Sequence, residues 1–366
     1  MTFFVRCSIV PLGPTVLLTG ASGVVGSALL SQLSDCHVIA LIHRTPAPGA
    51  DEQLVGDLTA PRLGLGQAAY QRLSSRVDAV VHCAAITGFS SGPEATHALN
   101  AAGTRQMVEL TADADAVMYH VSTAFVDRTD LTRAQMGQGH GDATARPEDY
   151  LDSKRAGEDI VRSSGIPAVI VRPSVVIGDS ATGAISAFQG MHGIIHGLLR
   201  GLLPLVPVPA HSPVDFVPQD VVASTIAGLI RHGSRESEVW VTAGADALST
   251  ERVLEVIQET ALRLGLDAVR PRMVGPEMVD RLIRPVFIAN LHPRARRRFD
   301  DMLAMTALFA HGHVFPNSLG QKGLPAALGS SELEAALRTS VTYMARTKGM
   351  VRPAPAAALQ TAQVVA

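Results

Sequence analysis

Cysteine is scarce and scattered: the 366-residue chain holds three, Cys7, Cys36 and Cys83, with no C-x-x-C pair. Their wide spacing and odd count argue against a disulfide framework or a zinc finger, so a reducing, cytoplasmic setting is expected. Aromatic residues are only 4% of the chain, which leaves no platform for stacking bases. With 31 Lys+Arg against 33 Asp+Glu, the formal net charge is −2, and the basic excess of a nucleic-acid binder is missing. Long hydrophobic runs are missing too. Arg6 and Pro11 interrupt the apolar N-terminus, and no A-x-A-like cleavage site follows. The stretch 194–208 contains His196, Arg200, Pro204 and Pro207 and is too short to span a bilayer. A soluble protein is expected, its mean hydropathy of +0.22 leaving room for peripheral membrane contact at most. No metal is expected. His192 and His196 lie one helical turn apart but lack the glutamate of H-E-x-x-H, and His311-Gly-His313 has no supporting ligands. There is no G-x-S-x-G elbow to present a nucleophilic serine.

Hydrophobic residues reach 47%, enough for a large core and too many for a disordered chain. The first half alternates short β-branched runs with helical patterns, the rhythm of βαβ units. Strands are expected at 15–19, 37–42, 79–82, 116–122 and 168–172, with helices at 24–33 and 95–110 between them. A helix at 218–231 and a strand at 238–242 follow. Right-handed crossovers then give a doubly wound parallel sheet, with ligands at the carboxyl ends of its strands. From Gly178 to Phe216 the rhythm breaks into a Gly/Pro-rich apolar insertion, and a mainly helical region runs from Thr250 to about Lys348. The expected division is a nucleotide-binding domain of residues 1–177 and 215–245 and a substrate-binding lobe of 178–214 and 246–348. A disordered Pro/Ala-rich tail is expected at 349–366.

The sharpest motif is Thr19-Gly20-Ala21-Ser22-Gly23-Val24-Val25-Gly26, after an apolar strand and at the start of an amphipathic helix. Gly20 permits the tight turn, Gly23 admits a pyrophosphate, and Gly26 allows close helix packing. Ser22, Val24 and Val25 belong to the same phosphate-binding turn, where the helix N-terminus offers free N–H groups. This is a Rossmann-type arrangement. The second strand ends in His43-Arg44 rather than an acidic residue. An Asp or Glu there would bond the ribose 2′-OH of NAD, whereas Arg44 suits the 2′-phosphate of NADPH or is a solvated loop arginine. Asp57, with Leu58, falls where a third strand would end, either beside the adenine amino group or in a surface turn.

Tyr150 and Lys154 stand four residues apart, hence on one helix face. The lysine charge is expected to favour the phenolate and bring the tyrosine toward acid–base work near neutral pH. Upstream, a strand runs into Val121-Ser122-Thr123-Ala124, where the Thr123 hydroxyl could bond a substrate carbonyl that Tyr150 protonates. With these pieces in order, the chain resembles the extended short-chain dehydrogenase/reductase superfamily from about Val16 to Thr242. TGASGVVG, GDL (56–58), HCAA (82–85), N-x-x-G-T (100–104), VSTAFV (121–126), YLDSK (150–154) and VRPSVVIG (171–178) carry the resemblance. STAFV, RPSVVIGDSATG and DFVPQDVVA (215–223) are similar to the fatty acyl-CoA reductase and thioester-reductase branch, the male-sterility type of NAD-binding domain. HVFPNSLGQ (313–321) is a fainter likeness.

The resemblance implies Tyr150 as proton donor, Lys154 as ligand of the nicotinamide ribose, and Thr123, with Ser122 as a substitute, as carbonyl binder. Asn100 completes a proton-relay tetrad or serves the helix structurally. His82, Ala84 and Ala85 line the cofactor by backbone, and Arg172, Pro173 and Ser174 flank the nicotinamide. The implied activity is NADPH-dependent reduction of an acyl thioester, on CoA or an acyl carrier protein, or of the derived aldehyde. The rival is oxidation or epimerisation of a sugar nucleotide or a sterol-like alcohol. Asp127, where sugar-processing relatives usually place a tyrosine, counts against that rival. The insertion offers an acyl-chain wall or simply core. Arg270, Arg272, Arg281, Arg284, Arg294, Arg296, Arg297 and Arg298, opposed by Glu277 and Asp280, make either a solvated face or a dock for an anionic carrier.

Overall fold

The run Thr15–Thr19 (β1) is buried at every residue after its first. Continuous apolar runs of this kind belong to parallel strands covered by helices on both faces. The computed structural model describes residues 13–128, 146–233, 236–275, 292–310 and 312–351. After β1 come α1 (Val24–Leu30), β2 (His37–Ile42), β3 (Glu52–Val55), α2 (Gln67–Ser74) and β4 (Ala79–His82). A short helix α3 (Pro93–His97), a π turn (Ala98–Ala102) and α4 (Gly103–Asp113) lead to β5 (Val117–Val121). A 3₁₀ turn (Ala124–Asp127) precedes α5 (Pro147–Ser163), β6 (Ala168–Pro173) and β7 (Val175–Ile177). The expected helix at 95–110 is thus three pieces, and the wide turn carries Asn100, whose side chain is bonded across to other elements.

The remaining elements are α6 (Met191–Leu199), β8 (Leu205–Val206), β9 (Pro213–Val214), β10 (Phe216–Pro218), α7 (Gln219–His232) and β11 (Glu238–Val241). Then follow β12 (Leu248–Ser249), α8 (Thr250–Arg263), β13 (Arg272–Met273), α9 (Pro293–Ala307) and α10 (Ser330–Thr347). The main sheet is seven-stranded, in the order β11-β6-β5-β4-β1-β2-β3, and every pairing in it is parallel. The chain leaves β1 in one direction for β2 and β3, then returns to add β4 on the other side. That reversal opens a crevice beyond the carboxyl ends of β1 and β4.

Alternate residues of β1 serve opposite faces. Val16 and Leu18 pack with Val38, Val81, Val171 and the α7 residues Val222 and Ile226. Leu17 packs with Ile39, Val80, Met107, Leu110 and Met118 on the other side. A third apolar core joins α6, α8, α9 and α10. The apolar stripe of the insertion goes into that core, with Met191, Ile195, Leu198 and Leu199 at most 5% exposed, so α6 presents these side chains to protein.

No described helix is long and apolar enough to cross a membrane. Cys7, His311, Glu277, Asp280, Arg281, Arg284 and the tail from residue 352 lie outside the described residues, as do the side chains of Arg297 and Arg298. Arg270 is not left to a like-charged surface: it pairs with Glu251 at 3.2 Å and Glu255 at 3.6 Å.

Candidate active site

The glycine turn lies at the reversal of strand order. Gly20 adopts φ +69°, and a Cβ there would meet the backbone N of Ala84 at 2.7 Å. A Cβ on Gly26 would meet the Cα of Ala21 at 2.8 Å. Gly23 N–H closes the turn on the Gly20 carbonyl at 2.9 Å. Ser22 and Gly23 are exposed, Val24 is buried and Val25 half-buried, so the N-terminus of α1 opens on the crevice. This bare backbone cradle fits the pyrophosphate of a dinucleotide. A surface pocket of about 560 Å³ continues from Ser22 along Ser27 and Ser31 to the loop of residues 45–49. Arg44 is exposed at its edge.

Asp57 follows β3 and accepts from Thr59 N (2.8 Å) and Thr59 Oγ1 (2.7 Å). These bonds, and then the charges of His43 and Arg44, hold its carboxyl below the usual range. Leu58 is buried in the sheet core.

β4 ends in His82, which shares hydrogen bonds with Thr19 Oγ1 (2.8 Å, Nδ1) and Thr104 Oγ1 (3.2 Å, Nε2). Burial, aided by the Lys154 charge, pushes it down to about 3, so it stays neutral. Ala84 N–H donates to Thr19 Oγ1 at 3.2 Å, and Ala84 and Ala85 are half-buried along the crevice.

α5 opens with Pro147, Glu148 and Asp149, which suit a helix start by fixed φ and by dipole. Tyr150, Lys154 and Glu158 then recur every fourth residue on one face. The Thr123 side chain lies close enough to the Tyr150 phenol to act on its proton. Lys154, 3% exposed, donates from Nζ to the Val121 carbonyl at 2.8 Å. Phenol, ammonium and small alcohol therefore meet at the carboxyl end of β5.

One electrostatic expectation is corrected. Lys154 does not pull the phenol toward neutrality; burial pushes Tyr150 up to about 12, with Thr123 opposing. The phenol is a held proton. Burial also brings Lys154 down to about 8, against the supporting charge of Glu158.

Asn100 is satisfied by protein alone. Its Nδ2 donates to Ile86 O and Ser153 Oγ, each at 2.9 Å, and its Oδ1 accepts from Ile86 N at 2.8 Å. It clamps the loop after β4 to α5. Arg172 is also redirected: its guanidinium faces Glu158 (2.5 and 2.9 Å) and Glu238 (3.0 Å) and lies over Trp240 at 4.5 Å. Ion pairing inside the fold outcompetes an exposed position, so its side chain is turned to this network and not to a ligand. Pro173 ends β6, and the buried Ser174 donates its N–H to the Val241 carbonyl at 3.0 Å.

The sequence reading passed over Glu158 and gave Asp215 no role beyond its motif. Glu158 supports Lys154, and its i+4 spacing was the available signal. Asp215 accepts from Ala243 N (2.8 Å) and Gly244 N (2.9 Å), which gives DFVP a structural role. Among the described residues no three His, Cys, Asp or Glu side chains gather as a metal site.

Residues 52–226 match the family described as "Male sterility protein", an NAD-binding domain. Glycine betaine reductase ATRR of Emericella nidulans is 28% identical over 278 residues, 66% of this chain and 22% of that protein. The L-2-aminoadipate reductase large subunit of Penicillium chrysogenum is 28% identical over 264 residues, 60% of this chain and 18% of that protein. The chain thus spans about a fifth of these relatives. The terminal R domain from the myxalamid PKS-NRPS biosynthetic pathway superposes with a TM-score of 0.67 at 23% identity, 93% of each chain being covered. Over residues 52–226, then, on the seven-stranded sheet and beside the glycine turn, the chain carries a male-sterility-type NAD-binding domain.

Proposed function

We propose that the chain is an NADPH-dependent reductase of an acyl thioester carried on CoA or a carrier protein, or of the derived aldehyde. The observation that carries this reading is the convergence of the buried Thr123 and Lys154 with the half-buried Tyr150 beside the glycine-turn crevice. The names of the relatives support a reductase, and the STAFV and RPSVVIGDSATG motifs a thioester as its substrate.

In this reading Gly20, Gly23 and the start of α1 hold the pyrophosphate, Arg44 the 2′-phosphate, and Asp57 the adenine side. The bound cofactor supplies hydride to the carbonyl carbon. Thr123 and Tyr150 donate hydrogen bonds to the carbonyl oxygen as negative charge grows on it. Tyr150 passes its proton to that oxygen, and Lys154, held on the Val121 carbonyl, keeps a positive charge near the phenolate that results. The hemithioacetal breaks its C–S bond, its hydroxyl proton leaves with the thiol, and an aldehyde remains. Arg172 and Asn100 position α5 and the loop after β4 and touch no reactant. In this reading residues 178–214 and the described part of 246–348 supply the substrate-binding lobe, and the setting is cytoplasmic.

The test is NADPH oxidation with a short acyl-CoA and with the same acyl group on a carrier. Aldehyde or alcohol appearing in step with NADPH loss is the expected result. No turnover of either thioester, nor of the free aldehyde, would reject the reading.

A further inference from the structure

Thr123 is the N-cap of the turn Ala124–Asp127, and its Oγ1 accepts from Phe125 N at 3.4 Å. Wherever that turn moves, the hydroxyl moves with it. The grip on the turn comes from far along the chain. Phe125, 4% exposed, meets Phe309 and Phe315 edge-on at ring-centre distances of 5.9 and 5.0 Å. Asp127 bonds His313 at 3.1 Å, and that imidazole packs on Phe315 at 4.8 Å. Arg128, 2% exposed, donates to the Leu308 carbonyl at 2.5 Å.

The segment that supplies these contacts is itself anchored to the sheet edge. Thr242 Oγ1 donates to Pro316 O at 2.6 Å, Ser318 N to Trp240 O at 2.9 Å, and Trp240 N to Ser318 Oγ at 3.0 Å. Residues 308–310 and 312–318 therefore act as a strap between the end of α9 and β11, gripping the turn on the way. Core packing alone accounts for Phe315. It does not account for the His313–Asp127 bond, whose side chains are 34% and 44% exposed and which adds little stability at such a place.

We propose that the strap is a positioning element of the active site: Phe315 and the His313–Asp127 bond hold the Ala124–Asp127 turn so that the Thr123 hydroxyl stands against the Tyr150 phenol. His313 and Asp127 act through Thr123 and touch no reactant. The inference rests on the reading of Thr123 as carbonyl binder.

The test compares wild type with His313→Ala, Asp127→Ala, the double variant, His313→Gln and Thr123→Val, using a short acyl-CoA and NADPH. A small displacement of a reacting group lowers rate steeply, so kcat should fall about tenfold to a hundredfold in either alanine variant. The double variant should be no worse than the singles, because both remove one bond. His313→Gln, which keeps an N–H for Asp127, should restore most of kcat. KM and NADPH affinity should hold, and the melting temperature should move by no more than about 3 °C. A kcat within about twofold of wild type in the folded alanine variants, or additive losses in the double variant, overturns the strap's role. If Thr123→Val also turns over at the wild-type rate, the site reading falls with it; if only Thr123→Val is impaired, the strap alone is refuted.

Discussion

At the residue scale the decisive group is a lysine buried to 3% exposure with its ammonium on a backbone carbonyl. Burial lowers it to about 8, below its ordinary 10.5, so the fold disfavours its charge. Between those values the unfolded chain binds the extra proton, and stability rises with pH across that window. Lys154→Met should lack that rise: denaturant unfolding at pH 7 and 10 should show wild type gaining on the variant by about 3 kcal/mol. Tyr150, at about 12, keeps its proton at neutral pH. Tyr150→Phe should cost about a hundredfold or more in kcat while NADPH titration gives nearly the wild-type affinity. The types and spacing of these residues were legible in the sequence. Their electrostatics were not, because a pKa follows from burial, and spacing says nothing of which face is dry.

At the scale of elements, strands read better than helices. The residues of β1, β2 and β4 stand where their apolar runs place them, whereas 95–110 breaks at a π turn. Periodicity reports a helical face, but an added residue in one turn follows from long-range bonds, here those of Asn100 to Ile86 and Ser153. The same blindness hid Arg172, whose partner Glu158 lies on another element. Glu158→Gln leaves that guanidinium underpaired, 7% exposed, and should destabilise the fold by about 3–5 kcal/mol in denaturant titrations. At the glycine turn a Cβ on Gly26 has no room, since the Gly20 carbonyl oxygen and the Ala21 Cα that it would meet both belong to backbone. Gly26→Ala should weaken NADPH binding by about tenfold or more, measured by fluorescence titration.

At the scale of the molecule, the crevice arises because strand order reverses between β1 and β4, and the glycine turn and β5 both end on it. That topology was legible from the alternating pattern and the motif order. The lobe was less so: its helices share one core with residues of the sheet edge, and which faces meet is a long-range matter. A ligand bound only by the folded chain raises its melting temperature, so NADPH should protect more than NADH, and Arg44→Ala should erase the difference in thermal shift. Equal protection in wild type would reject the 2′-phosphate role. The central claim, hydride delivered to a thioester carbonyl that Tyr150 protonates, is tested most directly with NADPH carrying deuterium at its transferable position and an acyl-CoA. The account predicts an aldehyde or alcohol labelled on the former carbonyl carbon from wild type and almost none from Tyr150→Phe. Unlabelled product, or equal label from both, would contradict it.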